Sequence, residues 1–179
     1  MNVKLHKLSI KDDVDIYDML QEIPKLENGF RNSCNGKSYE DFKKWLVKCD
    51  RISKGIDLVE GMVPQTVYWL YIDDKPVGMG KLRHKLSDTL MEKGGHGGYA
   101  IRPSCRFKGY GKLLLKLLLK EAIKLGISSV YLTIQNENIP SIKVALANGG
   151  IIHEKTDIMH RIWIQCDQSL ALKNINLKG

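Results

Sequence analysis

Residues 94–126, GGHGGYAIRPSCRFKGYGKLLLKLLLKEAIKLG, carry the order on which the reading of the whole chain turns. A short β-prone piece at 98–102 leads through Pro103 and a basic, glycine-containing loop at 106–112 into a leucine-rich helix that stops at Gly126. That order puts the loop at a helix N-terminus, where the dipole is positive and the first amides have no intrahelical acceptor. Arg106, Gly109 and Gly111 spell R-x-x-G-x-G, so the backbone can approach a ligand closely and consecutive N–H groups can cradle phosphate oxygens. Arg106, Lys108 and Lys112 add positive charge.

Two other nucleotide motifs fail on context. A Walker A loop would need glycine where Arg106 stands and Ser or Thr where Leu113 stands. Gly95 to Ala100 matches the loose string G-x-G-x-x-A, yet it runs into a strand and a proline, whereas the dinucleotide fingerprint requires a helix immediately after it. Lys112, Lys116, Lys120 and Lys124 recur at every fourth position of the helix and predict one solvated stripe, not a nucleic-acid surface, with leucines on most of the remaining circumference.

The 179 residues suit one domain, and 43% apolar with 27% charged residues is an ordinary globular composition. A net charge of +8 comes from scattered lysines without a run of five like charges, which makes nucleic acid an unpromising partner. Cys34, Cys49, Cys105 and Cys166 have neither zinc-ligand spacing nor a disulfide pattern and fit a reducing cytoplasm. The first residues lack the apolar core of a signal peptide, and no apolar run suits a membrane span.

The remainder reads as a strand at 3–8 and a helix capped by Asp12 or Asp13 that ends near Pro24. A second helix opens at Ser38 with Asp41 three residues on. A hairpin follows, 66–72 and 76–84, turning at 73–75, with a helical turn at 87–93. After the central helix come a strand at 130–135, a short helix from Pro140 to residues 148–150, and a β pair at 151–155 and 159–166; the tail from 167 is expected to be loosely ordered. The order β-α-α-β-β-β-α-β-α-β-β predicts a single α/β domain, a mixed and mostly antiparallel sheet with helices on both faces.

With these elements in place, Tyr99-Ala100-Ile101-Arg102-Pro103, Arg106-Phe107-Lys108-Gly109-Tyr110-Gly111 and the leucine-rich helix resemble the central acetyl-CoA motif of the GNAT superfamily of N-acetyltransferases. Asn138, Ser141 and Asn148-Gly149-Gly150 resemble its second cofactor motif, and the element order resembles that fold over the whole chain. The Trp69 strand, Leu82-Arg83-His84 and Gly95-His96 further resemble a bacterial subgroup of predicted acetyltransferases.

The resemblance implies acetyl-CoA as cofactor, its pyrophosphate on the amides of residues 107–112 and its pantetheine arm beside Tyr99 to Ile101. It also implies direct transfer to a primary amine of a small molecule, peptide or protein, with a backbone N–H near Ile101 as donor to the developing oxyanion. An alkylamine has a pKa near ~10.4, so a base or water chain must take its proton. His96 ranks first, His84 second and Glu27 third for that role. The tyrosine that many members use to protonate the thiolate is replaced by Ala145, leaving Tyr99, Tyr110 or solvent, and keeping open a non-catalytic acetyl-CoA-binding or sensing module. The acceptor pocket would be built by 12–63 and 155–163, and either a monomer or a homodimer suits the pattern.

Overall fold

The computed structural model of the protein describes residues 1–166, so the tail from 167 lies outside the described residues. The elements are β1 (Val3–Lys7), α1 (Val14–Glu22), β2 (Leu26–Glu27), β3 (Phe30–Arg31), α2 (Tyr39–Ser53), β4 (Gln65–Ile72) and β5 (Lys75–Arg83). These are followed by α3 (Asp88–Glu92), β6 (Gly97–Ile101), α4 (Tyr110–Lys124), β7 (Ser129–Gln135), α5 (Ile139–Leu146), β8 (Gly150–Lys155) and β9 (Met159–Gln165), with a 3₁₀ turn at Pro103–Cys105. Every element read from the sequence is present, and the small β2–β3 hairpin and the 3₁₀ turn are additions to it.

Local signals act where their chemistry requires. Asp13 caps α1 through the Val14 N–H, and Ser38 caps α2 through the Asp41 N–H. The β4–β5 turn takes both Asp73 and Asp74 to positive φ, 47° and 61°, as a tight two-residue hairpin demands.

The sheet is divided. Strands run β1-β4-β5-β6 in one part and β7-β9-β8 in the other, and every ladder is antiparallel. On one face α1 and α2 bring Ile16, Met19, Leu20, Phe42 and Leu46 against Val67, Trp69 and Met79. On the other, α4 sets Leu114, Leu115 and Leu118 against Leu70 and Leu82, and the same core reaches Leu132 and Ile162 of the second part. Burying a leucine of this kind contributes about 1.5–3 kcal/mol. Thus α4 is the element that both halves share.

Close approach explains several glycines. A Cβ at Gly80 would lie 2.8 Å from Leu118 Cδ1, so glycine lets α4 sit down on β5. At Gly97 a Cβ would lie 1.9 Å from the Lys81 carbonyl oxygen, a backbone atom that cannot swing aside. Gly97→Ala is therefore expected to cost about 1–3 kcal/mol or more by overpacking, read as a lower urea midpoint with an unchanged slope.

Candidate active site

The ladder between β5 and β6 decides what the far side of β6 offers. Arg83 N–H donates to His96 O at 2.6 Å and Arg102 N–H to Val77 O at 2.9 Å. Between these ends Lys81 stands opposite Gly98 and Met79 opposite Ala100. An antiparallel strand alternates hydrogen-bonded and non-hydrogen-bonded positions, so Gly97, Tyr99 and Ile101 turn their backbone groups away from β5. The strand β7 meets that free side at its beginning, where His96 N–H donates to Tyr131 O at 2.8 Å, and forms no ladder with β6 beyond it. Ile101 O accepts from Arg106 Nε at 3.1 Å. The Ile101 N–H and both backbone groups of Tyr99 meet no partner among the described residues.

This open edge leads into the loop before α4. Phe107 (φ 62°) and Gly109 (φ 78°) adopt left-handed conformations that turn the chain into the helix, and no side chain caps it. The first amide to find an acceptor is Leu113 N–H, which donates to Gly109 O at 3.2 Å. The N–H groups of residues 107–112 have no acceptor among the described residues. The first amides of a helix have no intrahelical acceptor, and a solvent-facing run of them at the positive helix end is a ready anion cradle. Lys108 and Lys112 are exposed beside it.

Two ion pairs fasten the loop from below. Arg106 makes a bidentate contact with Glu27, 3.0 and 2.6 Å, and Arg102 Nε donates to Glu22 Oε2 at 2.7 Å. Glu22 also accepts from Ser104 N–H at 2.6 Å. Partial burial pushes the Glu22 carboxyl up, but the Ser104 and Arg102 hydrogen bonds outweigh this and hold it below its usual range. The Arg106 guanidinium, expected from the sequence to add charge for phosphates, is thus placed on Glu27, and the charge beside the cradle comes from Lys108 and Lys112.

Tyr99 and Ile101 project toward α4 and α5. Tyr99 OH lies 3.5 Å from Ser141 O, and burial pushes its phenol up to about 12. A Cβ added at Gly111 would stand 3.8 Å from the Tyr99 ring and 3.6 Å from Val144. Asn138 caps α5 by accepting from Ser141 N–H at 3.3 Å. The structure therefore brings Tyr99, Ile101, Gly111, Asn138 and Ser141 to one place, with Tyr110 partly buried against the same core. Ala145 is fully buried.

The histidines lie elsewhere. His96 is 6% exposed, and its Nδ1 accepts from Tyr131 N–H at 2.9 Å. Burial, followed by the nearby Arg83 guanidinium, lowers its pKa. His84 Nε2 shares a 2.8 Å hydrogen bond with Thr66 Oγ1, and burial and then Lys7 lower its pKa. Along β6, His96 stands five residues from Ile101, on the order of 17 Å by strand rise; His84 is six beyond Gly78, the partner of Ile101, or about 20 Å. Both belong to the closed end of the strands. Glu22, Phe30 and Lys81 carried no motif, since their partners are remote in sequence.

An open strand edge continued by an amide-lined helix start defines the class of α/β proteins that hold a phosphate-bearing ligand at a helix and the rest of it along a strand. The chain belongs to the acetyltransferase (GNAT) family, whose model matches residues 21–149. A search of curated protein sequences gave no match. Among solved structures, the fold is similar to the ribosomal-protein-S5-alanine acetyltransferase of Vibrio fischeri, with TM-score 0.65 and 13% identity over 94% of this chain and 95% of that one. It is also similar to the PseH N-acetyltransferase of Campylobacter jejuni in complex with acetyl coenzyme A (0.61, 13%, 92% and 99%). A third likeness is to the spermidine/spermine N-acetyltransferase SpeG of Vibrio cholerae (0.60, 14%, 97% and 99%).

The His96 geometry has a pH signature. Its folded pKa lies below the ordinary 6.5, so the unfolded chain takes up the proton first and stability falls as pH drops through 6.5 toward the folded value. His96→Leu leaves Tyr131 N–H without its acceptor and is expected to cost about 1–3 kcal/mol at pH 8. In urea unfolding from pH 8 to 5, that variant should also lose stability less steeply than the parent as pH falls.

Proposed function

We propose that the protein is an acetyl-CoA-dependent N-acetyltransferase that acts on a primary amine of a small molecule or peptide. The observation that carries this reading is the run of unpaired amides at residues 107–112 continuing into the unpaired edge of β6. The residues fit the cofactor: amides, Lys108 and Lys112 suit a pyrophosphate, while Tyr99 and Ile101 offer backbone donors and an acceptor to an amide-bearing arm. Asn138 and Ser141 border the same channel through their contact with Tyr99 and α5. When bound, acetyl-CoA supplies an activated acyl group.

The Ile101 N–H, unpaired among the described residues, donates in this reading to the negative charge that develops on the acyl oxygen. In this reading His96 and His84 act as neutral structural groups at the closed end, and Glu27 positions Arg106. The acceptor's proton then leaves through water at the open end of the seam, since a neutral amine is the nucleophile. Tyr110, Phe107 and Gly109 shape the loop. Four free cysteines favour a reducing, cytoplasmic setting, and no described helix is long and apolar enough to cross a membrane.

A second reading, a non-catalytic acetyl-CoA-binding module, is favoured by one observation. Ala145 has no hydroxyl and is fully buried, so no acid reaches the sulfur from that position. Thiol release on an amine panel separates the two readings, because the module binds acetyl-CoA without turnover.

Calorimetry with acetyl-CoA tests both against the absence of a cofactor site. Gly111→Glu puts a carboxylate into the amide cradle and is expected to weaken acetyl-CoA binding by at least ~100-fold. Glu27→Gln releases Arg106 and is expected to change KM for acetyl-CoA several-fold with kcat within about two-fold, whereas a base would lose ~100-fold in kcat.

A further inference from the structure

Between α2 and the neighbouring strands lies a recess of about 430 Å³, on the face of the sheet opposite α4. Its apolar wall is Trp45, Cys49 and Val67, and at its edge Lys81 rises from β5. The Lys81 ammonium donates to Arg31 O at 2.5 Å and stands 5.1 Å from the centroid of the Phe30 ring. No carboxylate reaches it among the described residues. Burial pushes its pKa down to about 8, which leaves it mostly protonated at neutral pH.

The charge around the recess is predominantly positive. Lys37, Lys44 and Lys48 line it, against Asp41 alone among its lining acids. Lys44 is paired with Glu40 at 2.9 Å and with Asp41 at 3.6 Å, so the acid is already engaged. Lys37 and Lys48 form no ion pair among the described residues. A half-buried cation without a carboxylate, beside two unpaired ones, is an arrangement that a bound anion stabilises.

The recess adjoins the strand that borders the seam. Lys81 is the register partner of Gly98, and Phe30 covers Gly98 so closely that a Cβ there would be 3.1 Å from the ring. Lys81 lies three residues along β5 from Gly78, the register partner of Ile101, a separation of about 10 Å by strand rise, which sets the reach required of an acceptor that runs from the Lys81 ammonium to the Ile101 N–H. The same hairpin that places Phe30 carries Glu27, the partner of Arg106 in the phosphate loop.

Resting on the acetyltransferase reading above, we infer that this recess binds the acceptor, and that the acceptor is an amine carrying an anionic oxygen group, a carboxylate or a phosphate, held by Lys81 and Lys48. The cationic surroundings serve the chemistry twice. They hold the anion, and they favour the neutral form of a nearby amine, which is the nucleophilic one. They also repel a polyamine, whose every group is cationic.

The test measures thiol release from acetyl-CoA with matched acceptors: phosphoethanolamine against ethanolamine, γ-aminobutyrate against butylamine, and spermidine. At least one anionic member is expected to exceed its neutral counterpart by about ten-fold in kcat/KM, and the pair that does so identifies the anion as phosphate or carboxylate. Lys81→Met and Lys48→Glu should each reduce that preference to within about three-fold while leaving the calorimetric affinity for acetyl-CoA unchanged. A direct readout is the Trp45 indole N–H resonance, assigned with Trp45→Phe. It should shift on titration with inorganic phosphate, phosphoethanolamine or γ-aminobutyrate, and the shift should be lost in Lys81→Met. Equal or better turnover of spermidine and the neutral amines, or an indole resonance unmoved by all three anions, overturns the inference. Absence of acetyl-CoA binding would instead remove the acetyltransferase reading, and the indole titration would still decide whether the recess takes anions.

Discussion

Backbone hydrogen bonding across the seam between β6 and β7 is the constraint on which the rest depends. The two parts of the sheet join where residues 94–96 meet 131–133: His96 N–H on Tyr131 O, Tyr131 N–H on the imidazole Nδ1, and Gly94 N–H on Thr133 Oγ1 at 2.8 Å. The side chain of His96 does there what a strand carbonyl would do in a continuous sheet. A buried N–H left unpaired costs about 1–3 kcal/mol, so the imidazole is held neutral and in place by that bond. Because an imidazole closes the ladder at one position, β7 is free to leave β6 immediately afterward. The edge exposed by that departure is the candidate site.

An unpaired edge is normally a liability that invites strand pairing by another chain. Here the edge is short, Gly97–Ile101, and it ends in a loop whose own amides are unpaired. The loop cannot collapse onto the edge, because Arg102 and Arg106 hold it to Glu22 and Glu27. These pairs are partly exposed and each contributes no more than about 1 kcal/mol to stability. Their consequence is geometric: they keep the cradle open, and they commit two of the loop's cations to carboxylates, leaving lysines as its mobile charges.

The architecture was legible because it is periodic. The alternation in 3–8, the aromatic and β-branched run at 66–72, the caps Asp13 and Ser38, and the leucine spacing of α4 are local signals, and each appears within a residue or two of its place. The loop at 106–112 before α4 was legible as residue types in order. What was not legible depends on contacts far apart in the chain. Glu27 pairs with Arg106, 79 residues on, and nothing near Glu27 points to it. His96 reads from sequence as a glycine-flanked catalytic candidate, yet its flanking glycines answer to packing: a Cβ at Gly95 would lie 2.3 Å from Tyr131 O. The string that imitates a dinucleotide fingerprint is the mark of two backbones pressed together. Nothing in the sequence around Lys81 sets it apart, because its partners Arg31 O and the Phe30 ring lie about 50 residues away.

The same close packing bears on the leaving thiolate. Ala145 lies under β8, and a Cβ at Gly150 would be 2.7 Å from Ala145 O, so the end of α5 is drawn against the strand with no space for a larger residue beside it. Tyr99 is the phenol nearest to α5, and burial raises its pKa to about 12, which makes it a weaker acid than an exposed tyrosine. A proton donor of that strength offers little to a thiolate, whose conjugate acid has a pKa of about 8.5. The pyrophosphate proposed for the α4 amides would neutralise Lys108 and Lys112, so those lysines add no net positive field at the sulfur, and solvent at the open end of the seam is the remaining proton source. On the proposed reading, solvent stands in for a tyrosine hydroxyl at position 145, and because a thiol of pKa about 8.5 is itself a tolerable leaving group, Ala145 is compatible with turnover.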